Sequence, residues 1–292
     1  MDYRLLTDTP AQTIYAAFLE AFADYFVQVK MPLEVFLANN KRRGVDYSAS
    51  MGAFDKDRLV GFTLNGIGSW NGTVTAYDAG TGVVPSFRGK GISKELFRQL
   101  LPELKIKGVG NYLLEVIQEN VKAYELYLKL GFKVSRELDC YRSQINGLQL
   151  GDGDFSTSIC EVHFSQWLGV KSVFEASFDG HSNFLPSWQN SWDSVLRLAN
   201  AFKVFAAYDK NKCIGYGIIA FKSGDIAQLW VEKSRCRQGV GRALLRTLCL
   251  ERRQEEMVSW LNVDSRATDA HAFLKSINFS KLTRQYEMEM AL

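Results

Sequence analysis

The sequence predicts an α/β (α+β) protein of two tandem domains, each a central mixed, mostly antiparallel sheet with helices on both faces. Three observations predict it. A short basic, glycine-rich turn between an extended segment and an amphipathic helix occurs at Val83–Phe97 and again at Arg235–Leu245. A second pattern, strand then helix then Gly-Phe, occurs at Leu113–Phe132 and again, altered, from Leu261 to Phe279. The chain has 292 residues, which suits two domains of ordinary size. A repeat this long means two similar domains and not a solenoid. Residues 1–146 are read as the first domain and 147–292 as the second. The joint is placed at Gly147–Ser158, which is rich in Gly, Asp, Ser and Thr.

The elements follow in order. Ile14, Ala17, Phe18, Ala21, Phe22 and Tyr25 make a helical stripe over Ala11–Tyr25. A second short helix follows Met31-Pro32. Extended segments are expected at Met51–Phe54, Leu59–Asn65 and Thr73–Val84, with turns at Asp55–Asp57 and Ser69–Gly72. Next come the helix carrying Leu96, Phe97, Leu100 and Leu101, a buried strand at Leu113–Ile117, a helix from Asn120 and two closing strands. The second half repeats this order. Helical residues lie at Val170–Phe178 and Ser191–Ala201, and strands at Val204–Tyr208, Cys213–Phe221 and Ile226–Val231.

The first turn carries chemistry. A helix start leaves backbone N–H groups unpaired and partly positive, which suits an anion. Gly89 and Gly91 let the backbone approach that anion, and Arg88 and Lys90 add formal charge. The turn is therefore read as a diphosphate cradle. It is not a nucleotide P-loop, because Lys90 is followed by Gly91, nor a dinucleotide fingerprint, because position 94 is lysine.

Arg88-Gly89-Lys90-Gly91-Ile92-Ser93, after Val83-x-Pro85, resembles the phosphate loop of the GNAT acetyltransferase superfamily. Asn120-x-x-Ala123-x-x-x-Tyr127-x-x-x-Gly131-Phe132 resembles its downstream motif. Asn120, Ala123 and Tyr127 share one helix face. The resemblance implies acetyl-coenzyme A as co-substrate and an amine as acceptor, either a small molecule or an exposed protein amine. It implies a fourth and fifth strand that splay apart around the pantetheine arm. It assigns cofactor binding to Gly82, Val83, Val84, Arg88, Gly89, Lys90, Gly91, Ile92, Ser93 and Asn120. Tyr127 stands where such enzymes place the general acid, and a phenol matches a leaving thiolate in basicity. Glu115 is put forward as the base, with Asp78 and Tyr77 as alternatives. Asn120 is a good N-cap whatever the activity.

The second half departs from the pattern. Cys236 stands for Arg88, Ala267 for Asn120, Leu274 for Tyr127, Asn278 for Gly131 and Trp230 for Gly82. The expectation is a second domain that keeps the fold, keeps weak cofactor binding at most, and lacks efficient transfer, with Trp230 filling the ligand slot. The alternative for the whole chain is a non-catalytic acyl-coenzyme A sensor or a scaffold.

Composition bounds the rest. Hydrophobic residues make up 47% and the formal net charge is +3, so each half can build a core and nucleic acid is not an expected partner. Five dispersed cysteines argue against a disulfide framework and for a reducing cytoplasm. Three histidines show no metal spacing, so no metal is expected. No targeting signal or membrane-spanning run is read, and a homodimer is an open expectation.

Overall fold

The computed structural model describes residues 1–24, 30–151, 158–178, 184–253 and 256–292. Tyr25, His181 and residues 152–157 of the expected joint lie outside them. The chain divides into two compact units, Met1–Ser135 with Tyr286–Leu292, and Arg136–Gln285.

The first unit runs β1 (Asp2–Leu5), α1 (Ala11–Ala21), α2 (Leu33–Arg43), β2 (Met51–Asp55), β3 (Arg58–Trp70), β4 (Thr73–Val83), α3 (Ile92–Ile106), β5 (Asn111–Ile117) and α4 (Val121–Leu130). Its strand order is β1-β2-β3-β4-β5, followed by the C-terminal half of β12 (Lys281–Ala291). Neighbours from β1 to β4 are antiparallel, and β4 and β5 are parallel. One face packs Leu96, Phe97, Leu100 and Leu104 of α3 over the sheet with Tyr127 and Phe132. The other face packs Ile14, Ala17, Phe18 and Ala21 of α1 against Phe54, Phe62 and Leu64. These are the apolar positions at helical spacing in the sequence, so burial of each stripe holds its helix in place.

The second unit runs through β6 (Lys133–Gln144, of which Arg136–Gln144 belong here), β7 (Ser158–Glu161), α5 (Trp167–Ser177), α6 (Trp192–Arg197), β8 (Phe202–Asp209), β9 (Lys212–Ala220), β10 (Asp225–Val231), α7 (Val240–Leu250), β11 (Met257–Asp264) and α8 (Thr268–Ser276), and ends in Lys281–Gln285 of β12. Its strand order is β12-β6-β11-β10-β9-β8-β7. Only β10 and β11 pair in parallel among the registers observed here. Leu244, Leu245 and Leu248 of α7 cover one face, and Trp167, Val170 and Phe174 of α5 cover the other.

The division falls at Ser135/Arg136 and not near residue 146, and the reason is strand pairing. Leu138–Gln144 form a ladder with Met257–Asp264, so the bulk of β6 belongs to the second unit. The final residues return to the first unit. The Leu292 N–H donates to the Gly110 carbonyl at 3.1 Å, Asn111 Nδ2 donates to Glu289 Oε2 at 3.3 Å, and Met288 is fully buried among α3-side residues. Strands β1 and β7 were not anticipated. Both are four residues long, and neither has two consecutive buried residues to mark it.

Candidate active site

The site is built where β4 and β5 part. They pair at Thr75↔Asn111, Ala76↔Tyr112 and Tyr77↔Leu113, and no pair follows. Asp78 is the first residue of β4 beyond that fork. A bulge sits there too: Asn65 of β3 faces Asp78 and Leu64 faces Gly80, which leaves Ala79 unopposed.

Asp78 is 9% exposed and well satisfied. Its Oδ1 accepts the Gly80 N–H at 2.9 Å and its Oδ2 accepts the Thr81 hydroxyl at 2.7 Å, and the Tyr127 phenol lies near enough to help hold the carboxyl's pKa down. Burial pushes its pKa up to about 6, against the opposing pull of those hydrogen bonds and of the Arg43 charge. Arg43 is held nearby by a bond to the Ala79 carbonyl at 3.3 Å.

Tyr127 reaches Asp78 from α4. Its ring lies edge-on to Phe97 and Phe132, with centroids 5.9 and 5.6 Å away, and the residue is 8% exposed. The aromatic body is thus fixed in the core, while the polar tip meets the fork. Glu115 is paired differently. Its Oε2 accepts the Tyr77 hydroxyl at 3.1 Å. Burial, with the Glu115 charge second, raises the Tyr77 phenol well above its ordinary range. The fork therefore holds two carboxylate–phenol pairs, Asp78–Tyr127 and Glu115–Tyr77. The sequence marks Tyr127 and leaves its partner open.

The cradle follows β4. Gly91 is the N-cap of α3 with φ 76°, Gly89 has φ 74°, and no side chain caps the helix. A Cβ at either glycine would meet nothing within 4 Å, so the concave side is open and glycine is needed for its left-handed backbone. Ile92 is 3% exposed and anchors the turn against β3, where a Cβ on Gly61 would come within 2.8 Å of its Cγ2. Ser93 lies in the first turn of α3, and Lys90 stands 4.7 Å from the Phe87 ring centroid. The uncapped amides, their open approach and the positive end of a 15-residue helix form a donor set that suits a diphosphate.

Other cofactor-binding candidates have partners inside the protein. Arg88 donates to both oxygens of Asp24 (2.6 and 2.7 Å), to the Ala21 carbonyl at 2.8 Å and to the Val83 carbonyl at 3.1 Å. Its guanidinium braces the end of α1, so its part in a cradle falls to the backbone. That contact holds the Asp24 carboxyl below its usual range. The Val84 N–H is taken by the Val60 carbonyl at 3.0 Å. A Cβ on Gly82 would sit 2.9 Å from Phe62 and 3.0 Å from the Ala21 Cβ, so Gly82 lets α1 settle onto β4. Asn120 caps α4, its Oδ1 accepting the Ala123 N–H at 3.3 Å.

The second unit repeats this frame with other groups. Its fork opens past Asp225↔Ser259, and Asp225 is the counterpart of Tyr77. Its α7 is capped by Gly239 at φ 87°, and Arg237 adopts φ 62° where the first unit has Gly89. Ile226 and Leu274, both buried, stand for Asp78 and Tyr127. Trp230 stands at the position of Gly82. It forms part of the wall of a cavity of about 950 Å³.

Residues 13–132 match the Acetyltransferase (GNAT) family and residues 200–281 match the Acetyltransferase (GNAT) domain. The chain belongs to the GNAT acetyltransferase family. It has the tandem GNAT arrangement, with transferase activity toward acetyl groups as the family's general property. It is similar to a putative acetyltransferase from Pyrococcus horikoshii, with a TM-score of 0.69 at 19% identity over 100% of this chain and 89% of the other. It is also similar to a tandem GNAT protein from the clavulanic acid biosynthesis pathway, with a TM-score of 0.72 at 13% identity over 99% of this chain and 98% of the other. These two likenesses concern the fold. A stretch of 74 residues is 35% identical to streptothricin acetyltransferase from Streptomyces lavendulae; it spans 25% of this chain and 38% of that relative's length. Among the described residues no group of three or more His, Cys, Asp or Glu side chains is placed to hold a metal ion. Among them, too, no helix is long and apolar enough to cross a membrane.

Proposed function

We propose that the first GNAT unit transfers an acetyl group from acetyl-coenzyme A to the amine of a small molecule or an exposed protein amine. The observation that carries this reading is the buried carboxyl of Asp78 at the fork of β4 and β5, with the Tyr127 phenol next to it, beside an uncapped cradle.

Bound acetyl-coenzyme A supplies the thioester. The amides of Gly89 to Ser93 hold its diphosphate and so aim the thioester at the fork. The neutral amine attacks the carbonyl carbon, a C–N bond forms and the C–S bond breaks. Tyr127 gives its phenolic proton to the departing sulfur. Asp78 takes the proton that the nitrogen sheds, since a carboxylate near pKa 6 is mostly ionised at neutral pH. The proton then returns from Asp78 to the neighbouring Tyr127 phenolate. One amine proton has moved to one thiol, and both side chains are restored. In this scheme Asp78 takes the role first given to Glu115, while Glu115 positions Tyr77 beside it.

Streptothricin is the first acceptor to try, because the 74-residue likeness names it. Release of free thiol from acetyl-coenzyme A, followed over a panel of amines beginning with streptothricin, tests the proposal. Tyr127→Phe and Asp78→Asn are each expected to lower kcat by roughly 10²–10⁴-fold. Wild-type turnover that survives in Tyr127→Phe would remove the phenol from the mechanism.

A further inference from the structure

We propose that Arg43 is a positioning residue of the first unit: anchored at the end of α2, it clamps the bulged strand at Ala79 and so governs the carboxylate of Asp78. The proposal rests on the reading of Asp78 as the base, and its experiment separates the two. Three observations within the first unit carry it.

The first is how Arg43 is delivered. Helix α2 ends at Gly44, whose φ of 73° and N–H bond to the Lys41 carbonyl at 3.1 Å turn the chain out of the helix. That turn is stitched to β3. The Ile67 N–H donates to the Gly44 carbonyl at 3.1 Å, and the Asp46 N–H donates to the Asn65 carbonyl at 2.8 Å. A Cβ on Gly66 would overlap the Arg43 carbonyl oxygen, so only glycine lets the two backbones meet there. Asn65 and Gly66 pair with Asp78 and Tyr77, and the junction therefore sets Arg43 beside the fork.

The second is the bulge. Ala79 is the extra residue of β4 and has no residue opposite it on β3. Arg43 Nη1 donates to its carbonyl at 3.3 Å, standing in for a bond of the ladder. The β3 side is pinned separately. The Asn65 N–H donates to Ser50 Oγ at 2.9 Å, its Nδ2 donates to the Ala49 carbonyl at 2.9 Å, and its Oδ1 accepts from the hydroxyl of the fully buried Tyr112. The Asp78 carboxylate spans the bulge, because its oxygens are bonded to Gly80 and Thr81 beyond Ala79. A displaced Ala79 therefore turns the carboxylate.

The third is charge. Asp78 is faced by Tyr127 of α4, Tyr112 of β5 and Arg43 of α2. Tyr77, the neighbouring residue of β4, is faced by Glu115 of β5 and again by Arg43. Arg43 brings the positive charge to this set, and that charge favours the ionised form of Asp78 against the burial that disfavours it. A base must be ionised to take a proton. The same guanidinium thus aims the carboxylate and keeps it able to act.

The test is a carboxyl NMR titration of the full chain carrying carbon-13-labelled aspartate, with Asp78→Asn supplying the assignment, run beside thiol release from acetyl-coenzyme A. Arg43→Gln keeps a donor and loses the charge. Its Asp78 midpoint is expected above that of the wild type. Its kcat at pH 7 is expected to fall roughly tenfold or more with KM for acetyl-coenzyme A unchanged, as for a displaced base. Arg43→Lys keeps the charge and is expected to return the midpoint to the wild-type value and recover part of kcat. In the wild type itself, the Arg43 guanidinium nitrogen signals are expected to move with the Asp78 midpoint, a measurement that needs no variant to fold. An Asp78 midpoint unaltered by Arg43→Gln, or guanidinium signals that stay flat across that midpoint, would overturn the proposal. So would an Arg43→Gln enzyme with wild-type kcat where Asp78→Asn is impaired. A wild-type rate in Asp78→Asn would instead defeat the base reading, and the two titrations would still decide whether Arg43 governs Asp78.

Discussion

Asp78 carries a measurable cost for its position. Its pKa rises from the ordinary 3.8 to about 6 because burial disfavours the charged form. The folded state therefore binds the proton more tightly than the unfolded chain does. Its contribution to stability is complete below about pH 4 and is lost as the pH climbs through about 6. The gap corresponds to roughly 3 kcal/mol at most. Asp78→Asn removes the charge while keeping an oxygen to accept from Gly80 or Thr81. It is expected to raise stability at pH 7 by about 1–3 kcal/mol in denaturant unfolding while lowering activity. A destabilised Asp78→Asn protein would count against a buried carboxylate under strain. The sequence makes Tyr127 legible, since motif and helix face both mark it. It does not make Asp78 legible as its partner. Tyr77 and Asp78 are neighbours on one strand, and the bulge at Ala79 breaks the alternation that would have told their directions apart.

At the scale of elements, the turn after β4 and the helix that follows it are the most readable part of the chain. Glycines at 89 and 91 and the stripe on α3 specify a left-handed turn into a buried helix, and this is what forms. Gly91→Ala places a side chain at φ 76°, which costs about 1–2 kcal/mol of backbone strain. The variant is expected to raise KM for acetyl-coenzyme A several-fold with little change in kcat, as steady-state kinetics would show. Gly82 teaches the opposite lesson. Read as an allowance for cofactor, it also lies where a Cβ would press on Phe62 and Ala21, so it helps seat α1 on β4. Gly82→Val is expected to lower stability by about 1–3 kcal/mol through overpacking against Phe62 and Ala21, measured by thermal unfolding. One sequence cannot distinguish these uses, because both ask only for the absence of a side chain.

At the scale of the whole molecule, the repeat offset correctly announces two GNAT units, and both forks open at equivalent residues. The exchange of the last strand was not readable. Every strand of β-branched and apolar residues looks competent to pair with its sequence neighbour, and pairing choice is decided by register and core fit. Met288 is fully buried in the first unit, and Tyr286 lies 4.9 Å from Tyr124 there. A fragment of residues 1–146 lacks both and leaves the edge of β5 uncovered. It is expected to be insoluble or to give a poorly dispersed amide spectrum, whereas the full chain folds.

The central claim is that Tyr127 and Asp78 act as one proton-handling pair. The most direct measurement is the pH dependence of kcat/KM for thiol release in wild type and Asp78→Asn. The wild-type profile should rise through an inflection near pH 6 as Asp78 ionises, and the variant should lose both that inflection and roughly 10²-fold or more in rate. An Asp78→Asn enzyme with wild-type rate and an unchanged inflection would contradict the account.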